Sequence, residues 1–463
     1  MWPPSFILWA ITHHKRRYSS MHTIVIGANG AGMSAAAKII RAGTDHSVTV
    51  YEKDEIISFG ACGLPYYIGN FFSDHTRMFS RTKEKFIASG IKMNTQHTVT
   101  SIDVEKREIT VVDQQNTTVT DHYDNLVIAT GSSPVIPQLP GIKKKNIFTL
   151  RTLFDGDAIK EALLHTGVNV VVVGAGFIGL EMVEAFTKVN KKVTLIELED
   201  RALKATVGEE ISTLIHTELA SNGVSLAFNE RVVAFEGDKA VTKVVTDTHE
   251  YPCDLVVLSI GVRPRTSLLA EKGIAMLPNG AIIVDSFGRS SIPGIYASGD
   301  CAAVQDMRTK KPVYSPLATS ANKLGRVIGE HIVGGERAYP GTLSSACVKV
   351  FDLEVGRTGT TDMTEGTSSV VVQDKNQTNY YPGQEDILLK VVYDTTTGEI
   401  VGAELAGKNG AALRLNALAM AIQLKGTIGD LALADFCYAP PFSKTWDVMN
   451  IAGNVAISKS KQG

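Results

Sequence analysis

One supersecondary pattern occurs twice in the chain, and it restricts the fold more than any other feature. In each copy a β-branched run leads into a glycine-rich turn, a helix follows, and a second strand ends in an acidic residue. The first copy occupies residues 22–52 and the second residues 169–197. This order of elements is typical of a parallel sheet that binds a dinucleotide at its carboxyl edge. We therefore predict an α/β fold with two Rossmann-like dinucleotide-binding domains.

The first glycine turn reads Gly-Ala-Asn-Gly-Ala-Gly. Gly27 permits the tight turn, Gly32 lets the helix pack close to the strand, and the N–H groups at the helix start can bind a pyrophosphate. Asn29 stands where the usual pattern has its middle glycine, and Gly30 follows it. Glu52, at the end of the second strand, can accept hydrogen bonds from ribose hydroxyls. These residues predict the first dinucleotide site.

The second glycine turn contains the full GxGxxG spacing, formed by Gly174, Gly176 and Gly179. Glu197 ends the following strand and would accept hydrogen bonds from the adenosine ribose hydroxyls. Its negative charge would repel a 2′-phosphate, although Arg201 nearby weakens that repulsion. We therefore expect NADH to be preferred over NADPH at this site.

The rest of the chain indicates how these units are joined, since 463 residues exceed what one hydrophobic core usually serves. Two apolar runs, 125–131 and 254–261, bracket the second unit and predict that it is inserted in the first, with the run at 254–261 returning to the first unit. A later strand ends in Gly-Asp, where Asp300 can meet a ribityl or pyrophosphate oxygen. From about residue 340 the pattern changes to meander-like strands, followed by an amphipathic helix over 410–424.

A lone cysteine, Cys62, lies between small residues in the stretch 58–69. A thiol at the mouth of a nucleotide site, with no partner cysteine nearby, is a candidate redox centre. A buried structural cysteine is the alternative interpretation. The five cysteines of the chain show no CxxC or metal-like spacing. This argues against a disulfide scaffold or a metal site and is typical of the reducing cytoplasm.

Charge and hydropathy exclude two classes of partner. The net charge is −2 and no basic stripe is present, so we expect no nucleic acid partner. No segment is apolar over a length that spans a bilayer, so we expect no membrane partner. Near the start, the apolar run 6–11 precedes a basic cluster, the reverse of a secretory signal. We interpret residues 1–20 as a disordered extension, with Met21 as the natural start, and expect a cytoplasmic protein.

From Met21 to about residue 457 the chain resembles the pyridine nucleotide–disulfide oxidoreductase superfamily, in its two glycine turns and in the Gly-Asp strand that follows both. The resemblance implies FAD in the first unit and NADH, with NADPH as the alternative, in the second. It implies that FAD contacts Gly27, Asn29, Gly30, Gly32, Glu52, Gly131 and Asp300. It implies that NADH contacts Gly174, Gly176, Phe177, Gly179 and Glu197, with Phe177 at the position of an aromatic gate over the flavin.

The resemblance also implies a division into domains. Residues 1–20 are the extension, residues 21–131 and 255–339 form a discontinuous FAD domain, and residues 132–254 form the NAD(P)H domain. Residues 340–463 correspond to an α+β dimerisation domain, which implies a homodimer whose active sites use residues from both chains.

The branch of the superfamily is indicated by the surroundings of the reactive cysteine. Members that use two thiols have a CxxxxC motif, but here Tyr67 occupies the second position. Those members also take a histidine from the C-terminal domain, whereas the last histidine of this chain is His331. We therefore expect Cys62 to work alone, as in NADH peroxidase, NADH oxidase and coenzyme A disulfide reductase.

Among these three, the resemblance favours coenzyme A disulfide reductase. The peroxidase and the oxidase carry a histidine in the first glycine turn, where this chain has Gly30. Tyr380 and Tyr438 match two tyrosine motifs of the coenzyme A disulfide reductases, in which the partner chain's tyrosines would protonate a leaving thiolate. The resemblance further implies a Cys62 thiolate that is stabilised by the flavin and by a helix N-terminus.

We predict FAD-dependent reduction of coenzyme A disulfide, or of a related small disulfide or persulfide, by NAD(P)H through Cys62. One alternative is an NADH oxidase that reduces O2 through a sulfenic acid on Cys62. An alternative of another class is an NADH-binding flavoprotein that acts as a redox sensor or electron-transfer partner.

Overall fold

The computed structural model describes residues 21–43 and 45–461. The predicted extension over residues 1–20 lies outside the described residues.

Helices separate the strands of the two glycine-turn units, and runs of consecutive strands, such as the run over residues 92–149, lie elsewhere in the chain. The strands are β1 (His22–Ile26), β2 (Ser47–Glu52), β3 (Lys92–Thr95), β4 (Thr98–Asp103), β5 (Glu108–Val112), β6 (Thr118–His122), β7 (Asn125–Ile128), β8 (Ser132–Pro134), β9 (Ile147–Thr149), β10 (Asn169–Val173), β11 (Lys192–Ile196), β12 (Ser225–Ala227), β13 (Val232–Glu236), β14 (Lys243–Thr246), β15 (Glu250–Pro252), β16 (Leu255–Leu258), β17 (Val262–Pro264), β18 (Ile282–Ile283), β19 (Ile295–Ala297), β20 (Ala302–Gln305), β21 (Pro312–Val313), β22 (Ala346–Val350), β23 (Leu353–Gly359), β24 (Thr367–Lys375), β25 (Asp386–Asp394) and β26 (Ile400–Gly407). The α-helices are α1 (Gly30–Arg41), α2 (Leu64–Ile68), α3 (Lys83–Ala88), α4 (Leu153–His165), α5 (Phe177–Lys188), α6 (Glu209–Ser221), α7 (Ala318–Ile332), α8 (Leu415–Gln423), α9 (Ile428–Ala432) and α10 (Val448–Ser460).

The first sheet has five parallel strands in the order β19-β7-β1-β2-β3. Its central strands are apolar at successive positions because both faces of a parallel sheet are covered. Every residue of β7 is buried, for example. Helices α1 and α7 pack against each other in the core of this sheet. The parallel order and the covering helices confirm the predicted α/β class.

The second sheet is also parallel and has the order β12-β11-β10-β16-β9. The prediction that the run at 254–261 returns to the first unit is wrong, because β16 pairs with β10 through Val170 and Leu255 in the second sheet. The chain rejoins the first sheet only at β19, which pairs with β7. A fully buried apolar strand suits the middle of either parallel sheet, so the residues of β16 did not distinguish between them.

The C-terminal region is a five-stranded antiparallel sheet in the order β22-β23-β26-β25-β24, which packs against α8 and α10. The helix expected over 410–424 consists of a 3₁₀ turn, Ala411–Arg414, followed by α8. Within the described residues, no helix has the length and apolar character needed to cross a bilayer. In the same part of the chain, no three His, Cys, Asp or Glu side chains are grouped to hold a metal ion.

Candidate functional site

The first glycine turn is shaped by close backbone contacts. Gly27 has a φ of +106°, and a Cβ there would overlap the carbonyl oxygen of Ala129. A Cβ on Gly32 would overlap the Gly27 carbonyl oxygen. Neither position accepts a side chain, which is the physical reason for the glycine spacing seen in the sequence.

Both glycine turns leave the first N–H groups of a helix available to a ligand. Helix α1 begins after Asn29 and α5 after Gly176, and neither has a side-chain cap or an acidic residue in its first turn. Apart from the adjoining residues of the chain, no atom lies within 4 Å of where a Cβ on Gly176 would stand, so the turn is open there. Uncapped N–H groups and the positive end of the helix dipole suit phosphate oxygens. The two turns therefore fit the pyrophosphates of two dinucleotides.

The two predicted ribose-binding acids make matching contacts. Glu52 is buried and accepts the N–H of Ala28 at 2.7 Å and that of Asp54 at 3.1 Å. Glu197 accepts the N–H of Ala175 at 2.6 Å and that of Glu199 at 2.9 Å. Each carboxylate oxygen keeps a further lone pair for a ribose hydroxyl. The second acid thus repeats the geometry of the first.

Asp300 lies just after β19 and is held by three segments of the chain. Its carboxylate accepts the hydroxyl of Ser132 at 3.0 Å and pairs with the Arg151 guanidinium at 3.0 Å. Tyr314 donates its hydroxyl to the Asp300 carbonyl at 3.1 Å. Gly131, with a φ of +68°, leaves room for Arg151, whose Nη2 lies 3.1 Å from where a Cβ would stand. These contacts fix the carboxylate in place.

Cys62 lies in a 3₁₀ turn, Ala61–Gly63, that leads directly into α2. The turn is close-packed, since a Cβ on Gly63 would stand 2.8 Å from the sulfur of Met78. Cys62 is exposed, so the alternative of a buried structural cysteine is wrong for this residue.

One cavity of about 2020 Å³ joins Cys62 to the second glycine turn. Its lining includes Gly174, Gly176 and Phe177 of the second turn, Glu181 of α5, and Cys62 with Asp300 and Arg151. The first glycine turn does not line this cavity; it contacts the Cys62 segment through Ala28 and Asn29.

The surroundings of Cys62 favour the thiol over the thiolate. Although Cys62 opens onto the cavity, the crowded walls remove water, and this burial raises the pKa of the thiol. The carboxylates of Glu181 and Asp300 raise the pKa further, whereas Arg151 lowers it. The guanidinium of Arg151 and a backbone N–H at Cys62 itself favour the thiolate and lower the pKa. The expected support from the flavin and a helix N-terminus stays a prediction.

Sequence motifs missed Glu181 and Arg151. Burial raises the pKa of Glu181 to about 7, while a hydrogen bond with Tyr66 lowers it and the charge of Glu184 raises it. Glu181 lies one helical turn after Phe177, a spacing that places both side chains on one face of α5. That spacing is a signal that could have identified Glu181, whereas no local pattern marks Arg151.

Tyr380 and Tyr438 lie together but not beside Cys62 of the same chain. Their hydroxyls form a hydrogen bond of 2.8 Å, and the side chains are 69% and 44% exposed. Neither residue lines the cavity that contains Cys62. The hydrogen bond with Tyr380 raises the pKa of Tyr438, so this hydroxyl keeps its proton at neutral pH.

Comparisons with known proteins agree with this arrangement. Residues 21–323 match the family described as pyridine nucleotide-disulphide oxidoreductase, and residues 345–449 match its dimerisation domain. An NADH oxidase of Enterococcus faecalis is 35% identical over 94% of this chain and 99% of its own length. A CoA-dependent NAD(P)H sulfur oxidoreductase of Pyrococcus abyssi is 34% identical over 93% of this chain and 97% of its own length. The crystal structure of reduced Bacillus anthracis CoADR-RHD has a TM-score of 0.92 at 32% identity, covering 96% of this chain and 82% of that one.

Proposed function

Because the chain belongs to the pyridine nucleotide-disulphide oxidoreductase family and is an FAD-dependent NAD(P)H oxidoreductase, we propose that it reduces coenzyme A disulfide, or a related persulfide, through Cys62. The observation that carries this proposal is that the cavity onto which Cys62 is exposed is also lined by several basic side chains.

The basic side chains of the cavity suit a phosphorylated thiol. Lys38, Lys323, Arg326 and Arg337 line the cavity, and Lys38 pairs with Glu330 at 3.2 Å. Within the described residues the other three cations form no ion pair. Coenzyme A carries several phosphate groups, and lysine and arginine bind phosphate by charge-assisted hydrogen bonds. Such a substrate could place its phosphates here while its sulfur reaches Cys62.

Separate groups of residues bind the two cofactors and carry out the sulfur chemistry. Gly27, Gly32, Glu52 and Asp300 hold FAD, and the second glycine turn with Glu197 holds NAD(P)H. Bound FAD supplies the two-electron link between NAD(P)H and the sulfur centre. Cys62, left as a thiolate by the preceding two-electron reduction, attacks one sulfur of the substrate disulfide, forms a mixed disulfide and releases the other half as a thiolate. Two electrons from NAD(P)H then cleave the mixed disulfide, free the second thiol and restore Cys62.

The leaving thiolate needs a proton, and Tyr380 and Tyr438 of the partner subunit are the proposed donors. Tyrosine hydroxyls remain protonated at neutral pH and can donate to a thiolate. Since the tyrosines lie away from Cys62 of their own chain, a homodimer is needed to bring them to the site. The match of residues 345–449 to a dimerisation domain supports that assembly.

An NADH oxidase is the second candidate function. The notable absence of a histidine from the first glycine turn, at Gly30, speaks against it. Glu181 supports it, because a carboxyl with a pKa of about 7 in the Cys62 cavity could supply a proton to a departing hydroxide.

Mass spectrometry and stopped-flow kinetics together test the proposal. The denatured, unreduced holoenzyme should carry one coenzyme A on Cys62, and the adduct should be absent from Cys62→Ser but present in Cys347→Ser. Cys347 is a matched control because it is exposed on the same cavity.

NADH oxidation without oxygen should require coenzyme A disulfide or persulfide. Rapid oxygen consumption with no such requirement, and one added oxygen on Cys62, would establish the oxidase instead. If NADH reduces the flavin but no acceptor supports turnover, the result would support the alternative of a redox sensor or electron-transfer partner.

A further inference from the structure

Asn29 begins helix α1 but does not cap it. Asparagine is among the strongest N-cap residues, because its side-chain oxygen usually accepts an N–H from the first helical turn. At Asn29 the backbone has the extended conformation of an N-cap, yet the side chain makes no capping hydrogen bond. Its Oδ1 instead accepts the backbone N–H of Phe59 at 3.0 Å.

A second contact joins the same two segments. The carbonyl of Ala28 accepts the N–H of Ser58 at 2.8 Å, and the N–H of Ala28 is donated to buried Glu52 at 2.7 Å. Ser58 has a φ of +50°, a left-handed conformation that residues other than glycine rarely adopt. Consecutive contacts to Ser58 and Phe59 therefore hold the chain in a conformation that it would not keep by itself.

The anchored residues lie directly before the reactive thiol. From Phe59 the chain passes through Gly60, whose N–H is donated to the Met78 carbonyl at 2.8 Å, into the turn that carries Cys62. Only Gly60 and Ala61 separate the Asn29 anchor from Cys62. A change in the position of Phe59 is therefore transmitted to the thiol.

We propose that Asn29 is a positioning residue for Cys62, which it ties to the first glycine turn through the Phe59 N–H. This explains why an amide stands where the dinucleotide pattern usually has glycine. Because the side-chain oxygen of Asn29 accepts the N–H of Phe59 and does not cap α1, the first N–H groups of α1 remain available to a phosphate. The arrangement couples the cofactor turn to the redox thiol. It rests on Cys62 being the redox centre and is independent of which acceptor Cys62 serves.

Three variants separate this role from simple cofactor binding. Asn29→Ala and Asn29→Gly remove the acceptor, whereas Asn29→Asp keeps an oxygen at the same place. The first measurement is the alkylation rate of Cys62 by N-ethylmaleimide in the holoenzyme, after anaerobic reduction with NADH has freed the thiol, read at the peptide level. Cys347 serves as the internal reference, because it is exposed on the same cavity but is not connected to Asn29.

The alanine and glycine variants should raise the Cys62/Cys347 alkylation ratio by about tenfold, because loss of one hydrogen bond of ~1.4 kcal/mol makes local opening of the Cys62 segment about tenfold easier. The value of kcat should fall while the KM for NADH stays unchanged. The aspartate variant should keep the ratio near the wild-type value and bind FAD more weakly, since its charge opposes the pyrophosphate. If the alanine variant loses only FAD, with an unchanged ratio after FAD is restored, Asn29 acts on the cofactor alone and the proposal is wrong.

Hydrogen exchange at the Phe59 amide provides a second test that needs neither turnover nor a substrate. Protection should be lost in Asn29→Ala and kept in Asn29→Asp, each measured in the full-length chain with FAD present. Equal protection in all variants would overturn the proposal even if the alanine variant were too unstable for kinetics. A failure of the coenzyme A assay with the expected exchange pattern would contradict the proposed substrate only.

Discussion

Glu181 shows how the tertiary structure changes an ordinary surface carboxyl into one that titrates near neutral pH. Its pKa rises from 4.5 to about 7 chiefly through burial, with the charge of Glu184 adding and the Tyr66 hydrogen bond opposing. A carboxyl with this pKa exists in both protonation states at physiological pH. It faces two further titratable groups, because its charge also raises the pKa values of Cys62 and Cys347.

Glu181→Gln should stabilise the protein at alkaline pH only. The folded wild-type chain binds the proton of the Glu181 carboxyl more tightly than the unfolded chain does. The stabilisation of the wild-type fold by this proton is complete below about pH 4.5 and is lost as the pH rises through about 7. Glutamine avoids the buried charge, so the variant should gain about 1 kcal/mol over wild type at about pH 8 and nothing at about pH 4.5. Urea unfolding at constant FAD concentration measures this difference.

The control for this experiment is Glu336→Gln, which changes an exposed glutamate beyond α7. It should alter stability little at either pH. A Glu181→Gln variant whose stability difference from wild type does not grow between acidic and alkaline pH would show that Glu181 is not perturbed in the folded protein.

At the scale of elements, the turn after β11 is where we expect a 2′-phosphate of NADPH to lie. Lys204 contacts Glu199 at 2.8 Å and Asp200 at 3.3 Å, and Arg201 contacts Asp200 at 3.2 Å. Both cations line the cavity next to Glu197. Exposed ion pairs contribute little to stability, so either cation can exchange its carboxylate for a phosphate at small cost.

Glu197→Gln should therefore increase the activity with NADPH, and not only decrease the activity with NADH. The substitution removes the charge that repels a 2′-phosphate, while Lys204 and Arg201 remain in place. We expect kcat/KM for NADPH to rise about tenfold, which corresponds to ~1.4 kcal/mol. Steady-state kinetics with both nucleotides measure the change.

Lys204→Ala is the matched control for that substitution. By itself it should leave NADH turnover unaffected, and combined with Glu197→Gln it should cancel the gain with NADPH. An NADPH gain that persists in the double variant would assign the 2′-phosphate contact to another residue.

At the scale of the whole molecule, the C-terminal region presents large apolar side chains on its surface. Leu433, Phe442 and Trp446 are 79%, 76% and 52% exposed and lie close to Tyr438 in the sequence. Exposed apolar groups of this size indicate an interaction surface. Its location in the region that matches a dimerisation domain makes a second copy of the chain the natural partner.

Mixed dimers test whether the tyrosines act across that interface. Cys62→Ser chains lack the thiol, and chains with both Tyr380→Phe and Tyr438→Phe lack the hydroxyls, so each alone should be nearly inactive. In a mixed dimer, one site combines an intact Cys62 with the intact tyrosines of its partner. Equal mixing after dissociation should restore about a quarter of wild-type disulfide reductase activity, as expected for an isologous dimer. No recovery in verified mixed dimers would place the tyrosines and Cys62 of one chain in the same site, or exclude the tyrosines from the reaction.

The sequence by itself determined the features that depend on local chemistry. The glycines of both turns, the acids that end β2 and β11, and the strand before Asp300 follow from spacing, because each reflects a steric or hydrogen-bonding need within a few residues. The strands and the α/β class followed from the same patterns. Cys62 and the two tyrosines were identified by motif, and their assigned roles stay predictions.

The tertiary structure decided what depends on residues distant in sequence. β16 pairs with β10 in the second sheet. Its apolar composition would suit the first sheet equally well, so the composition alone does not decide between them. Burial raises the pKa of Cys62, and the charges of Glu181, Asp300 and Arg151, which come from three separate segments, modify that pKa further. The hydrogen bond from Phe59 to Asn29 likewise forms only when the Cys62 segment folds back on the first glycine turn. Charge and contact across such distances are properties of the folded chain, so no local pattern contains them.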